Sequence, residues 1–167
     1  FTDDYKALDI EYQRYLQKFS KEPFDDKDKP YIRKWTEDIT KYGNNYNNFD
    51  ISLAPLVDSF FNSNKSQLKI IEAGFHKKAI IASDVAPFTL DLTSAITDGK
   101  INDNGNALLV SPKKNHKQWA QHMRRLINDR GLIKELGERL YETVKNKYSL
   151  SNVCEKRVKF LKSIIIK

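Results

Sequence analysis

The sequence predicts an α/β domain: a parallel sheet covered by helices on both faces, in a three-layer αβα arrangement. Two observations carry this. Ala79-Ile-Ile-Ala-Ser is apolar almost throughout, as strands covered on both faces are. Residues 65–77 read as a helix between that strand and an earlier β-type run at 49–53, and parallel neighbours need such a crossover. The size agrees, since 167 residues suit one domain that buries roughly 70% of its unfolded surface.

The elements follow in order. Residues 5–19 place Leu8, Tyr12, Tyr15, Leu16 and Phe19 at helical spacing. Residues 21–30, with Pro23 and Pro30, read as a loop. A helix within 35–46 would turn Ile39 and Tyr42 inward, weakened by Gly43-Asn44-Asn45. Pro55 ends the first strand, and Phe60-Phe61-Asn62-Ser63 reads as loop. Residues 84–87 turn after the second strand. Residues 102–106 form a Gly/Asn turn before a third strand at 107–110. Helices follow at 117–128, with Trp119, Met123, Leu126 and Ile127 inward, and at 132–148. A last amphipathic helix at 153–166 fills the C-terminal segment 151–167. No repeat or low-complexity stretch interrupts this order.

Composition narrows the function classes. Hydrophobic residues make up 40% of the chain and charged residues 31%, the balance of a soluble globular protein rather than a disordered one. No apolar run approaches the roughly 20 residues that span a bilayer. The single cysteine, Cys154, rules out an internal disulfide framework and suits a cytoplasmic protein; its side chain is expected buried or half-buried. The chain starts Phe-Thr-Asp-Asp, without Met or a signal-peptide pattern, and reads as part of a longer protein. The formal net charge is +7. Its bases are scattered among acids, which argues against nucleic acid. A solvated basic surface, an anionic ligand and an anionic membrane surface all fit the charge.

In parallel sheets, ligands bind outside the carboxyl ends of the strands. This points to the loops at 55–64 and 84–88. Asn64 reads as an N-cap with Gln67 three residues on, a capping-box pattern. The helix start would then offer free amides and a positive dipole to a phosphate, with Lys65 and Ser66 in the first turn. At 100° per residue, Lys65, Lys69, Glu72 and His76 share one face, while Leu68, Ile71 and Phe75 form the stripe expected against the sheet. A surface Lys69–Glu72 ion pair is the bland alternative for that face, and an ordinary helix-end histidine is the one for His76. Tyr42 and Tyr46 suit either stacking on a base or packing. Asp84 suits either a cap or a sugar contact. The acids Asp25, Asp26 and Asp28 sit in a lysine-rich loop and read as solvated, so no metal site is expected.

Several of these residues form a resemblance. Asp50-Ile-Ser-Leu-Ala-Pro-Leu, Phe61-Asn62, Lys65-Ser66, Leu68-Lys69, Glu72-Ala73-Gly74 and Ser83-Asp84-Val85-Ala86-Pro87 resemble the C-terminal domain of GT-B glycosyltransferases, nearest the family-4-type, bacterial group 1 enzymes. Asn104-Gly-Asn-Ala-Leu-Leu-Val, then Trp119, Leu126, Asp129, Leu136-Gly137 and Tyr148, continue the likeness, which runs from Asp50 to Tyr148. It implies one Rossmann-like donor-binding domain over 1–167, half of a two-domain glycosyltransferase, with the acceptor mainly on an N-terminal domain. It further implies a nucleoside-diphosphate sugar donor, and Lys65 and Glu72 as the residues tied to catalysis. Asn64, Lys65 and Ser66 would hold the diphosphate and Glu72 the ribose, with Tyr42, Gly43 and Asp84 as candidate nucleobase or sugar contacts. No cofactor or metal is implied. The family makes polysaccharide or lipid-linked products plausible, in a cytoplasmic or peripheral membrane setting. One departure stands out: Asn64 occupies the position of the first acid in the family's Glu-x7-Glu motif, which alters the expected donor-sugar contact. The alternative is a non-catalytic α/β module that binds an anionic partner or mediates assembly.

Overall fold

The computed structural model describes residues 38–97, 99–113 and 116–165. The helix and loop expected before residue 31, Trp35, and the acids Asp25, Asp26 and Asp28 lie outside these. The chain divides into two compact units, Phe1–Gly43 and Asn44–Lys167. In the first, the short helix α1 (Ile39–Tyr42) is capped by Asp38, whose carboxylate accepts from the Thr40 amide at 2.9 Å and hydroxyl at 2.6 Å. Those two bonds, the hydroxyl's first, hold the Asp38 carboxyl below its ordinary range.

The second unit is built on a three-stranded parallel sheet of β1 (Ile51–Ala54), β2 (Ala79–Ser83) and β5 (Leu108–Val110), with β2 central. Ile51 pairs with Ala79 and Ala54 with Ala82; Ile81 pairs with Leu108 and Ser83 with Val110. All five β2 residues are buried, so both faces of the sheet are covered, as the apolar run predicts. A small antiparallel hairpin, β3 (Ile96–Thr97) and β4 (Lys100–Ile101), lies between β2 and β5 in sequence.

Two helices stand where one is predicted between β1 and β2. Phe60–Ser63 is not loop but the helix α2, capped by the Ser59 hydroxyl, and α3 runs only over Leu68–Phe75. The physical reason lies in the capping. Asn64 closes α2 instead of opening α3: its side-chain amide donates to the Phe60 carbonyl at 2.7 Å. The chain then turns, and α3 starts at Gln67 without a side-chain cap.

The inward face of α3 also differs from the expected stripe. Ile70, Ala73 and Gly74 are buried, whereas Leu68 and Phe75 are exposed. The small residues face inward because α5 (Arg130–Tyr148) passes close by: a methyl on Gly74 would stand 2.6 Å from a Val144 side-chain carbon. Gly137 serves the same purpose against the turn before β2, where an added methyl would lie 2.2 Å from the Lys77 carbonyl oxygen.

On one face of the sheet, Ala79, Ile81, Leu108 and Val110 pack with Leu126 and Leu136, and Trp119, Met123, Leu132 and Ile133 flank them. These come from α4 (His116–Asn128) and α5. Ile127, expected inward, is exposed instead. Strand β5 is an edge, and its polar backbone is capped from α4. Gln118 accepts from the Ser111 amide at 3.0 Å, and His122 Nε2 donates to the Leu109 carbonyl at 3.0 Å. Burial lowers the His122 pKa against the opposing pull of that bond, and the bond itself satisfies a carbonyl of the edge strand.

The last helix, α6 (Leu150–Ile165), is amphipathic as expected, and its Phe160, Leu161, Ile164 and Ile165 are exposed. Cys154 on this helix is exposed, not buried, since its neighbours Asn152 and Val153 take the half-buried side of that turn, where Asn152 donates to the Asn146 carbonyl at 3.0 Å. No helix among the described residues is long and apolar enough to cross a membrane.

Candidate functional site

The three parallel strands end on one cleft. It has a volume of about 420 Å³ and is lined by Pro55–Asp58 after β1, Ser83 at the end of β2, Val110–Pro112 after β5, and Trp119. Ser83 Oγ accepts from the Leu56 amide at 2.8 Å and so fixes the first wall to the central strand. Aromatic and aliphatic surfaces alternate here with Asp58, Ser83 and Ser111. That mix suits a ligand with both apolar faces and hydroxyls. The strand-end rule locates the first wall; Ser111, Pro112 and Trp119 are found only in three dimensions.

Of the residues picked from sequence in this unit, Asn64, Lys65, Ser66, Glu72 and Asp84 are not part of its lining. Asn64, Lys65, Ser66 and Asp84 are exposed and sit on the segments that follow β1 and β2. The Lys65 ammonium lies 5.0 Å from the Phe61 ring centroid. Because α3 starts at Gln67, Lys65 and Ser66 precede the helix instead of forming its first turn. The amides of Leu68 and Lys69 come before the first intrahelical bond, which Ile70 donates to the Gln67 carbonyl at 2.9 Å. Among the described residues, they replace those of the predicted first turn as the unpaired donors. The Asp84 amide donates to the Val110 carbonyl at 2.8 Å, and the 3-10 turn Phe88–Leu90 that follows has no side-chain cap.

Glu72 is half-buried on α3. Its Oε2 accepts a 2.8 Å hydrogen bond from the Tyr46 hydroxyl, and no ion pair joins it to Lys69 among the described residues. Tyr46 belongs to the 3-10 turn Gly43–Asn48 and is buried. Its ring is stacked on His76, with centroids 4.7 Å apart and planes at 10°. Of the two readings of Tyr46, packing is therefore the one realised, and His76 is its platform. Tyr42 and Gly43 belong to the first unit.

A polar network missed by sequence reasoning fixes the start of α3. Asp91 is buried; it accepts from Lys147 Nζ at 2.7 Å and from the Tyr148 hydroxyl at 2.6 Å. Gln67 donates to that same hydroxyl at 3.1 Å. Burial pushes the Asp91 carboxyl up, but the bonds from Lys147, Tyr148 and Gln67 prevail and leave it below its ordinary range. The Tyr148 phenol is pushed up to about 12, by burial and then by Asp91. Asn106 braces the loop by donating to the Asp91 carbonyl at 2.9 Å and accepting from the Thr93 amide at 2.8 Å. These partners lie up to 81 residues apart, so no local pattern reveals them.

The fold has a counterpart among solved structures. A sucrose-phosphate synthase from Thermosynechococcus elongatus superposes with a TM-score of 0.71 at 16% identity. The fold is that of a Rossmann-like GT-B half. The match covers 99% of this chain and 37% of the synthase, so the chain spans little more than a third of that enzyme's length. No protein-family model matches the chain, and no curated protein matches it.

Proposed function

We propose that the chain is the donor-binding half of a glycosyltransferase and holds a nucleoside-diphosphate sugar at the carboxyl end of its sheet. One observation carries this reading: a cleft at the ends of all three parallel strands, in a glycosyltransferase-like fold. The diphosphate sits at the start of α3, against the Leu68 and Lys69 amides and the positive end of the helix dipole. Lys65 and Ser66, just upstream, add a cation and a hydroxyl, and Asn64 lies next to them. Glu72 takes the ribose hydroxyls, and Asp84 approaches the sugar.

In transfer to a saccharide or lipid-linked acceptor, negative charge develops on the departing nucleoside diphosphate. Lys65 and the helix amides stabilise it there, and the acceptor is held on a second, N-terminal domain. With Asn64 in place of an acid, and its amide nitrogen engaged by the Phe60 carbonyl, the sugar meets no carboxylate at that point, which gives a different donor preference. The exposed apolar stripe of α6 and the net positive charge suit a peripheral position at an anionic membrane.

Calorimetric titration of the 167-residue chain with uridine, guanosine, adenosine and cytidine diphosphates tests the reading. One of them is expected to bind, and Lys65→Ala and Glu72→Ala are each expected to weaken it by about tenfold, the worth of one charge-assisted contact. Equal affinity in wild type and Lys65→Ala removes the diphosphate assignment. Saturable binding of acidic peptides or vesicles, with none of nucleotides, favours the non-catalytic module instead.

A further inference from the structure

We infer that Tyr46 is a positioning residue: it orients the Glu72 carboxylate and thereby sets the preference for ribose over 2′-deoxyribose. The inference rests on the nucleotide-binding reading above and goes beyond it to the residue that tunes the contact. A glutamate on a helix has three side-chain torsions, and a half-exposed one samples several rotamers. Here one oxygen is held. The Tyr46 hydroxyl donates to Oε2 at 2.8 Å, across 26 residues of sequence.

The phenol is itself confined. His76 lies parallel to its ring at 4.7 Å, and Phe49 meets it at 52° with centroids 5.2 Å apart. Tyr46 is only 7% exposed, so the hydroxyl has little room to leave Glu72. A carboxylate offers about four acceptor sites. With one used by Tyr46, Oε1 and the remaining lone pair of Oε2 stay available to adjacent ribose hydroxyls. The rotamer is selected before the ligand arrives, so binding does not have to order it.

The same stack gives His76 a supporting part: it backs the ring that holds the hydroxyl. Tyr46→Phe keeps the ring and both aromatic contacts and deletes only the hydroxyl.

The test is calorimetry on the 167-residue chain with uridine and guanosine diphosphates and their 2′-deoxy counterparts, in wild type, Tyr46→Phe, Glu72→Gln and the double variant. Glu72→Gln should abolish most of the ribose preference. Tyr46→Phe should weaken the ribonucleotide by roughly threefold to tenfold, the cost of ordering one side chain, and weaken the 2′-deoxy form, which keeps one of the two adjacent hydroxyls, distinctly less. In the double variant the Tyr46 effect should vanish. If Tyr46→Phe weakens both forms equally, the hydroxyl has only a structural role and the inference falls. If Glu72→Gln abolishes the preference while Tyr46→Phe preserves it, the inference falls and the donor-site reading stands. If Lys65→Ala weakens binding but Glu72→Gln leaves the preference intact, the ribose assignment falls and takes the inference with it. Absence of nucleotide binding in wild type overturns both.

Discussion

Replacing Asp91 with alanine should destabilise the second unit by about 2–4 kcal/mol, and the reason can be followed bond by bond. The Asp91 side chain is 2% exposed and the Lys147 side chain 47%. Once Asp91 is gone, the lysine turns back to water, so the ion pair counts for no more than roughly 1 kcal/mol. Tyr148 has less freedom. Its hydroxyl donates to Asp91 Oδ2 at 2.6 Å and accepts from Gln67; losing a charged acceptor there costs about 1.5–3 kcal/mol. For a chain of this length, the melting point should fall by roughly 5–15 °C. Asp91→Asn keeps an acceptor for Tyr148 and should lose about half as much.

The pH dependence of that penalty has a fixed sign. The folded Asp91 carboxyl lies below its ordinary value. Its contribution is therefore complete above the unfolded pKa of about 3.9 and is lost as the pH falls through the folded value. Urea unfolding followed by circular dichroism at pH 7 and at successive values down to pH 3 reads both quantities. The gap between wild type and Asp91→Ala should be full at pH 7 and should narrow below about pH 4. A penalty under about 0.5 kcal/mol at pH 7, or a gap that widens in acid, refutes the buried-network argument.

The Tyr148 phenol is raised to about 12, so its share of stability is complete below pH 10 and lost as the pH rises toward 12. Tyr148→Phe should therefore be less stable than wild type at pH 8, with the difference shrinking in that alkaline window; a constant difference would count against the Asp91 bond. Gly137→Ala gains about 1 kcal/mol of helix propensity but puts a methyl 2.2 Å from the Lys77 carbonyl oxygen, so a net loss of about 1–3 kcal/mol is expected. Gly131→Ala, on the same helix, meets only the Asp129 carboxylate at 3.3 Å and should be the more stable of the two; equal urea midpoints would disprove the close approach at Gly137.

The fold class was legible because its signals are local. A continuous apolar strand such as Ala79–Ser83 reports cover on both faces, and an amphipathic helix such as His116–Asn128 reports one buried side. The strand-end rule also placed the cleft's first wall at Pro55–Asp58. The start of α3 was misread because Asn64 has two helices to serve. Capping propensity is the same for either, and the bond its side-chain amide donates to the Phe60 carbonyl closes α2, while Phe60 and Phe61 stay exposed. The inward face of α3 was misread for a related reason. Leu68, Ile71 and Phe75 make the more apolar stripe, but Ile70, Ala73 and Gly74 are the buried residues, and the close passage of α5 leaves no room for a side chain at Gly74.

By itself, then, the sequence determined the parallel α/β architecture, the strand-end location of the cleft and the candidate residues Lys65 and Glu72, since strand cover, turn chemistry and helix periodicity are properties of neighbouring residues. Tertiary structure alone decided that Glu72 is held by Tyr46, that Gln67 is tied to Asp91 through Tyr148, and that Trp119 lines the cleft. Each of these joins side chains 26 or more residues apart. Such contacts exist only after the sheet has brought distant loops to one end, where a buried polar group must find a partner or forfeit its hydrogen bond.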